Sequence, residues 1–334
     1  MIRVIRDTGR MTEIDWAAHA EHLRKSAADE AGWNALVAAD LVRGTDRLIV
    51  DVGCGGGGMA KALATAVPEA TVVALDADEE VLRQAREHTA GLVRCELVSM
   101  DDGPEPLRAA IGAPADLIWA SASVHHAADQ QAAVTALASL LAPGGRLALA
   151  EGGLPTRMLP WDLGLGEPGL ELRLDAAQDR WFAAMRAGIP GSVPMPYGWT
   201  EALQRAGLTG VTTRTILTEK PHPLSEADRD QVIEQLRHRV ARLDPEDAAS
   251  AGHGHGHGHG HGHGHGDGDG DGDGGRGHGH ADLDSTAPEM PMLGADDLAV
   301  WHQLLDPDNP HFLGRRTDLA SLSARSIHLG QAPG

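Results

Sequence analysis

The chain has 334 residues, which is enough for one α/β core of about 200 to 250 residues with additions. Its formal net charge of −20 repels polyanions, so we expect a small-molecule partner and no nucleic acid. The two cysteines, Cys54 and Cys95, lack the spacing of a zinc site or a disulfide framework. Because the sequence shows no apolar leader and no run of about 18 apolar residues, we expect a soluble, cytoplasmic protein without membrane contact.

Strand and helix patterns alternate through the first 150 residues. An Ala-rich helical stretch at 16–42 precedes a strand at 47–52, and a helix of small residues follows at 57–66. Further strands are predicted at 71–75, 92–98, 115–120 and 146–150, with helices at 79–88 and 129–141 and a turn at 143–145. Strands separated by helix-length segments favour right-handed crossovers, so the predicted fold class is α/β with a doubly wound, mostly parallel sheet.

The alternation breaks after Glu151. A Pro- and Gly-rich segment follows, with a helix at 175–186, and its aromatic side chains are predicted to line an apolar substrate pocket: Trp161, Trp181, Tyr197 and Trp199. A helix at 200–206 leads to a strand at 211–217, whose antiparallel partner is predicted at 324–329. Two helices lie between them, at 225–243 with a Ser-x-x-Asp cap and at 296–305.

His and Gly alternate from His253 to His265, and Asp and Gly alternate from Asp267 to Asp273. Such a segment buries nothing and has high backbone entropy, so we expect a disordered linker over 244–294. Its imidazoles suit Ni²⁺, Zn²⁺ or Cu²⁺ at moderate affinity, and a plain linker without any metal is the alternative. The possible metal ligands are His253, His255, His257, His259, His261, His263 and His265.

The segment 48–59 combines a buried strand, a carboxylate and a glycine-rich turn that opens a helix. Glycines allow a ligand to lie directly against the backbone and adopt φ values that other residues avoid. Gly53, Gly55 and Gly58 satisfy the GxGxxG spacing of NAD-binding proteins. A Walker A loop is excluded because no Lys follows Gly58, so the turn predicts a nucleotide other than a triphosphate.

Carboxylates in and after the first three strands discriminate between nucleotide classes. Asp76 ends the second strand, where an acid accepts both hydroxyls of an adenosine ribose. Asp51 lies two residues before Gly53, where NAD-binding folds usually carry an apolar residue and where a carboxylate can bind an ammonium group. Asp101 or Asp102 follows the third strand and can accept the adenine amino group. Together these acids favour a cationic amino-acid nucleoside over NAD.

Five segments in order resemble the motifs of the class I S-adenosylmethionine-dependent methyltransferases, specifically the bacterial small-molecule group. They are VDVGCGGG at 50–57, VALD at 73–76, SMD at 99–101, DLIWAS at 116–121 and LLAPGGRL at 140–147. The resemblance implies a Rossmann-like sheet of seven strands and S-adenosylmethionine as the cofactor. It also implies the cofactor-binding residues Asp51, Gly53, Cys54, Gly55, Gly57, Asp76, Ala77, Asp101, Asp102 and Ser121. Of these, Gly53 and Gly55 would lie under the cofactor.

With this resemblance the chain divides into six predicted segments. They are an N-terminal helical cap at 1–46, the cofactor-binding core at 47–150, a substrate lid insertion at 151–199, the end of the core sheet with a helix at 200–243, the linker at 244–294, and a C-terminal helix with the last strand at 295–334.

Methyl transfer is an in-line displacement in which the protein mainly aligns and desolvates the acceptor. An oxygen acceptor benefits from a general base near neutral pH, and His125 and His126 follow the fourth strand at the edge where such sheets bind ligands. We therefore expect transfer to an oxygen, nitrogen or carbon of a small molecule, with these two histidines as candidate catalytic residues. The alternatives are a non-catalytic protein that senses a nucleoside or binds metal through the His-Gly tract, and an NAD-dependent oxidoreductase.

Overall fold

The computed structural model describes residues 23, 27, 29–244 and 293–334, so most of the predicted linker at 244–294 and most of the first 28 residues lie outside it. The strands are β1 (Leu48–Val52), β2 (Thr71–Asp76), β3 (Arg94–Leu97), β4 (Ala115–Ser121), β5 (Leu141–Arg157), β6 (Thr209–Glu219) and β7 (Leu322–Gln331). The α-helices are α1 (Ala31–Leu41), α2 (Gly58–Ala66), α3 (Glu79–Thr89), α4 (Pro104–Ile111), α5 (Gln130–Ala138), α6 (Leu170–Gly188), α7 (Trp199–Arg205), α8 (Glu226–Ala241) and α9 (Ala295–Leu305). No helix in these ranges combines the length and apolarity needed to cross a bilayer.

The strands form one sheet in the order β3-β2-β1-β4-β5-β7-β6. Neighbours from β3 to β5 are parallel, and β7 is antiparallel to both β5 and β6. The central strands β1 and β4 are mostly apolar and mostly buried because helices cover both faces of the sheet. This arrangement confirms the predicted Rossmann-like fold with seven mostly parallel strands.

Two apolar layers lie on opposite faces of the sheet. On one face Val37 of α1, Leu63 of α2 and Leu82 of α3 are fully buried. On the other face Leu107 of α4 and Leu137 of α5 are fully buried. The packed helices therefore hold the ends of the strands in place. The loops that carry polar side chains meet at these ends.

A third apolar cluster joins the insertion after β5 to the C-terminal helices. Leu174 of α6, Leu236 of α8 and Trp301 of α9 are fully buried within it. Helix α6 extends beyond the predicted helix at 175–186 at both ends. At the amino end, Leu170 and Leu174 are buried on one face of an additional turn. Helix α8 begins as predicted, with the Ser225 hydroxyl accepting the Asp228 N–H at 3.1 Å.

Strand β5 is much longer than the predicted strand at 146–150, and the predicted turn at 143–145 lies inside it. The turn forms an irregularity in the pairing with β4 between Ala115 and Leu117. Beyond residue 150, β5 continues by pairing with β7, as Leu154 with Ala324 and Arg157 with Leu322. Local sequence could not show this extension because its partner lies about 170 residues away.

Helix α4 was not predicted, although its boundaries carry ordinary signals. Pro104 opens the helix and Gly112 closes it with a φ of +90°. Leu107 and Ile111 lie one turn apart and are buried. The segment is short, which makes two apolar positions a weak periodic signal.

We expect Gly153→Ala to destabilise the fold by at least about 2–3 kcal/mol, because this residue has a φ of +122° in the β5–β7 pairing. A Cβ there would also lie 2.1 Å from the Ala324 carbonyl oxygen. Chemical denaturation measures the free energy of unfolding. The control is Gly152→Ala, where φ is +72° but a Cβ meets open space, so only about 1–2 kcal/mol is expected. Equal losses in the two variants would contradict the close approach.

Candidate active site

A cavity of about 540 Å³ opens at the carboxyl ends of the parallel strands. Asp51 of β1, Asp76 of β2, Ser121 of β4 and Glu151 of β5 line it, because parallel strands bring their carboxyl ends to one edge. Trp33 and Asn34 of α1 also line it, and the N-terminal cap over 1–46 stays a prediction. The size suits a small-molecule ligand.

The glycine turn after β1 forms the floor of the cavity. Gly53 has a φ of +65°, and a Cβ on it would lie 2.5 Å from the Ser123 Cβ. The Cys54 N–H donates to the Leu75 carbonyl at 3.0 Å and ties the turn to β2. Gly57 differs from its neighbours: it precedes α2, faces α3 and does not line the cavity.

Asp76 supports the same turn from β2. Its carboxylate accepts the Gly55 N–H at 3.1 Å and the Asp78 N–H at 3.2 Å. Burial raises the pKa of the Asp76 carboxyl above its usual range, and these backbone donors partly oppose the rise. Ala77 lines the cavity beside it, so the second predicted motif lies where the sequence placed it.

The two acids of the third motif have different positions. Asp101 lines the cavity, and its Oδ1 accepts the Ala128 N–H at 3.0 Å. Asp102 caps its own short turn by accepting the Ser99 N–H at 3.0 Å and does not line the cavity. Of this pair, Asp101 is therefore the residue that lies at the cavity.

Asp51 is a buried acid without a full set of partners. It is 2% exposed, and its Oδ2 has no hydrogen-bond partner among the described residues. Burial raises the pKa of the Asp51 carboxyl to about 7, while the backbone hydrogen bond from Ala60 lowers it and the charge of Asp76 adds to the rise. A buried carboxylate without a partner is costly, so this oxygen fits a cationic ligand group.

A carboxylate and two histidines lie at the opposite end of the cavity. Glu151 Oε1 accepts the N–H groups of Ser123 and Val124 at 3.0 and 2.9 Å, and its Oε2 lies 2.6 Å from His125 Nδ1. His125 Nε2 lies 3.0 Å from His126 Nε2. Burial and neighbouring positive charge lower the pKa of His126 to about 3, so His126 is neutral near pH 7.

The carboxylate of Glu151 fixes the arrangement of this pair. Because the carboxylate accepts hydrogen bonds, His125 Nδ1 carries a proton and donates it to Glu151 Oε2. The Nε2 of His125 is then its basic nitrogen. Sequence reasoning missed Glu151. The available signal was its position directly after the fifth strand, at the same sheet edge as the acids that follow the other strands.

The predicted aromatic lining of the cavity is wrong: none of Trp161, Trp181, Tyr197 and Trp199 lines it. Trp161 is 65% exposed, and Trp181 packs in the helical cluster of α6, α8 and α9. Tyr197 and Trp199 pack against the core next to α5 and α7. Of these four residues, only Trp181 therefore lies in the apolar cluster formed by the insertion, while the other three lie on the main core or at the surface. Phe182 of α6 does reach the site, with its ring centroid 5.2 Å from that of His125.

The seven histidines predicted as metal ligands lie outside the described residues. Within residues 29–244 and 293–334, no group of three His, Cys, Asp or Glu side chains has a geometry that could hold a metal ion. Metal binding by the tract stays a prediction from the sequence.

Comparison with known proteins identifies the family of the chain. Residues 50–147 match the model of a methyltransferase domain family. A trans-aconitate 2-methyltransferase of Methylobacterium nodulans is 30% identical over 204 residues, which are 60% of this chain and 71% of the relative. The chain belongs to the class I S-adenosylmethionine-dependent methyltransferases. Membership favours this prediction over the oxidoreductase and non-catalytic alternatives.

Other similar proteins share shorter regions or only part of the architecture. A second trans-aconitate 2-methyltransferase, from Methylobacterium radiotolerans, is 35% identical over 143 residues, and the methyltransferase described here spans 51% of its length. Among solved structures, a phosphoethanolamine N-methyltransferase of Haemonchus contortus is 10% identical with a TM-score of 0.43, covering 96% of this chain and 60% of that one.

Proposed function

We propose that the methyltransferase binds S-adenosylmethionine in the 540 Å³ cavity and transfers its methyl group to an oxygen of a small-molecule acceptor. The observation that carries this proposal is the buried, unpartnered Oδ2 of Asp51 at the cavity wall. An ammonium group is the complementary partner for such an oxygen. The amino-acid end of S-adenosylmethionine carries one.

The other cavity residues fit the rest of this cofactor. The side-chain-free backbone of Gly53 and Gly55 allows a ligand to lie against the turn. Asp76 would hold the ribose hydroxyls, and Asp101 would hold the adenine amino group. Cys54, Ala77 and Ser121 complete the walls. All five residues line the cavity. When bound, the cofactor would supply an electrophilic methyl group on a sulfonium, whose sulfur leaves as a neutral thioether.

The chain's own contribution to the chemistry is positioning and proton transfer. The cavity aligns the acceptor oxygen with the methyl group and excludes water from it. A hydroxyl acceptor gives up its one proton to the hydrogen-bonded pair of His125 and His126. Because the pKa of His126 is about 3, the positive charge comes to rest on His125, where the buried carboxylate of Glu151 stabilises it.

Two observations support an oxygen acceptor. A histidine pair held by a carboxylate suits a hydroxyl, which must lose a proton on methylation. Relatives named as trans-aconitate 2-methyltransferases point to a carboxylic acid, whose ionised oxygen can accept a methyl group without losing a proton. We therefore propose a small hydroxy or carboxylic acid as the acceptor.

Calorimetry with S-adenosylhomocysteine tests cofactor binding by the full chain. We expect saturable binding, and Asp76→Ala should weaken it at least about tenfold because the ribose loses charge-assisted hydrogen bonds. The matched control Asp102→Ala removes an acid outside the cavity and should change the affinity less than about twofold. Absence of binding by the wild type would refute the proposal.

The acceptor is then sought with isotopically labelled S-adenosylmethionine, using trans-aconitate and a set of hydroxy acids as first candidates. Mass spectrometry should detect a product heavier by one labelled methyl group. Methylation only of amines or carbon acids in the set would contradict the oxygen assignment while leaving the methyltransferase assignment intact.

A further inference from the structure

Helix α6 of the insertion after β5 contacts the loop that carries the histidine pair. Arg186 lies in the last turn of this helix, and its Nη1 donates to the His125 carbonyl at 3.2 Å and to the Ala127 carbonyl. Its Nη2 donates to the Ala128 carbonyl at 3.3 Å. A planar guanidinium with five N–H groups suits such a contact. One side chain of the insertion therefore binds the backbone of three residues in the loop 125–128.

The same helix also contacts the imidazole of the pair. Phe182 precedes Arg186 by one helical turn, and its ring lies edge-on to that of His125 with the centroids 5.2 Å apart. After the helix, the Val193 N–H donates to the Ala128 carbonyl at 2.9 Å. The loop is thus held from two sides, by Glu151 of the sheet and by the end of the insertion.

Two of the three carbonyls depend on Arg186 for their hydrogen bonds. Among the described residues, no other N–H group donates to the carbonyls of His125 and Ala127. Burial lowers the pKa of the Arg186 guanidinium, but arginine stays protonated in proteins, so all its N–H groups remain donors. Replacing Arg186 therefore leaves both carbonyls without a partner in the described part of the chain.

We propose that Arg186 is a positioning residue for proton transfer, which holds the loop 125–128 so that His125 Nε2 and His126 Nε2 stay within hydrogen-bond distance. Both histidines line the cavity and Arg186 does not, so it acts through them. This inference rests on the proposed function, because it gives the insertion a part in the proton transfer. Arg186 follows His125 by 61 residues, which is why no local pattern indicated it.

Hydrogen–deuterium exchange of the full chain, measured by mass spectrometry, tests the attachment without methyl transfer. Arg186→Gln should speed exchange of the amides at 124–128 at least about tenfold, because the loop opens more often once the guanidinium contacts are lost. Strand β4 directly before the loop is the internal reference, and its exchange should change less than about twofold. Unchanged exchange at 124–128 would overturn the proposal.

Initial rates measure the consequence for the reaction. Arg186→Gln should lower kcat for a hydroxyl acceptor by up to about 10²-fold, because the pair is aligned for a smaller fraction of the time. The affinity for S-adenosylhomocysteine, measured by calorimetry, should stay within about threefold. Faster exchange at 124–128 with an unchanged kcat would show that the attachment does not serve the reaction, and it would overturn the proposal.

Arg186→Lys separates charge from hydrogen bonding. Lysine keeps the positive charge but has a single donor nitrogen, which cannot match the planar fork of a guanidinium. This variant should therefore recover only part of the lost exchange protection and of the lost kcat. Full recovery of both would mean that the charge alone matters, which contradicts the proposal.

Arg173→Gln is the matched control on the same helix. Arg173 also donates to backbone carbonyls, those of Pro168 at 2.7 Å and Glu167 at 2.9 Å, but it does not contact the loop 125–128. The control should leave exchange at 124–128 and kcat within about twofold, and effects equal to those of Arg186→Gln would overturn the proposal. If the wild type methylates no acceptor, the proposed function fails, and the exchange at 124–128 still decides whether Arg186 holds the loop.

Discussion

Replacing His125 with Gln should lower kcat for methyl transfer to a hydroxyl acceptor by about 10²–10⁴-fold. Glutamine keeps a polar side chain near the original volume but accepts no proton near neutral pH. Glu151 then has no imidazolium to stabilise, although it still accepts the N–H groups of Ser123 and Val124. The affinity for S-adenosylhomocysteine should stay within about twofold, because we assign no cofactor contact to His125. Initial rates with labelled cofactor and calorimetry measure the two quantities.

Two further variants locate the origin of this effect. Glu151→Gln removes the charge beside His125 and should lower kcat without abolishing the hydrogen bonds to the 123–124 backbone. His302→Gln is the matched control, since His302 also lies 2.6 Å from a carboxylate, that of Asp244, but outside the cavity. An unchanged kcat in His125→Gln would remove the histidine pair from proton transfer. Equal losses in His125→Gln and His302→Gln would indicate a general effect on folding.

Asp51→Asn should remove a pH dependence from cofactor binding. The pKa of Asp51 is about 7 in the free protein, and only its ionised form attracts the ammonium group. Wild-type affinity for S-adenosylhomocysteine should therefore rise between about pH 5 and 7, by up to about tenfold per pH unit. The variant should bind more weakly at pH 7.5 and show a flatter profile. Asp102→Asn, outside the cavity, should keep the wild-type profile.

The same substitution should stabilise the protein in the absence of ligand. The pKa of Asp51 is raised from 3.8 to about 7 on folding. Between these two pH values the folded state therefore binds the proton more tightly than the unfolded state does. The free energy of unfolding then falls by an amount on the order of 4 kcal/mol as the pH rises from about 4 to 7. Above pH 7 it stays level. Asp51→Asn lacks this loss, so its free energy of unfolding at pH 8 should exceed that of the wild type. Lower stability of the variant at pH 8 would show that Asp51 is ionised at little cost.

Much of the glycine-turn side of the cavity was predictable because its signals are local. A strand, a glycine turn and a following helix lie within 48–66, and Asp76 directly ends the next strand. Parallel strands with helical crossovers bring such ends to one edge whatever the details of packing. The order of strands and helices, the fold class and the family therefore follow from the sequence.

The rest of the cavity depended on contacts between distant segments. Glu151 meets His125 across 26 residues of chain, and Arg325 meets Glu30 across 295. Periodicity gives no information on such pairs, because it reports only which face of an element is apolar. The assignment of aromatic side chains to the cavity failed for the same reason: the sequence shows that they are apolar but not which cluster buries them.

The sequence by itself determined the strand–turn–helix units, the glycine turn with Asp51 and Asp76, and the family, because each is encoded within a few consecutive residues. Only the tertiary structure decided that β7 enters between β5 and β6, that Asp101 rather than Asp102 faces the cavity, and that Glu151 holds His125. These features depend on which surfaces pack together, and packing free energy is a property of the whole chain.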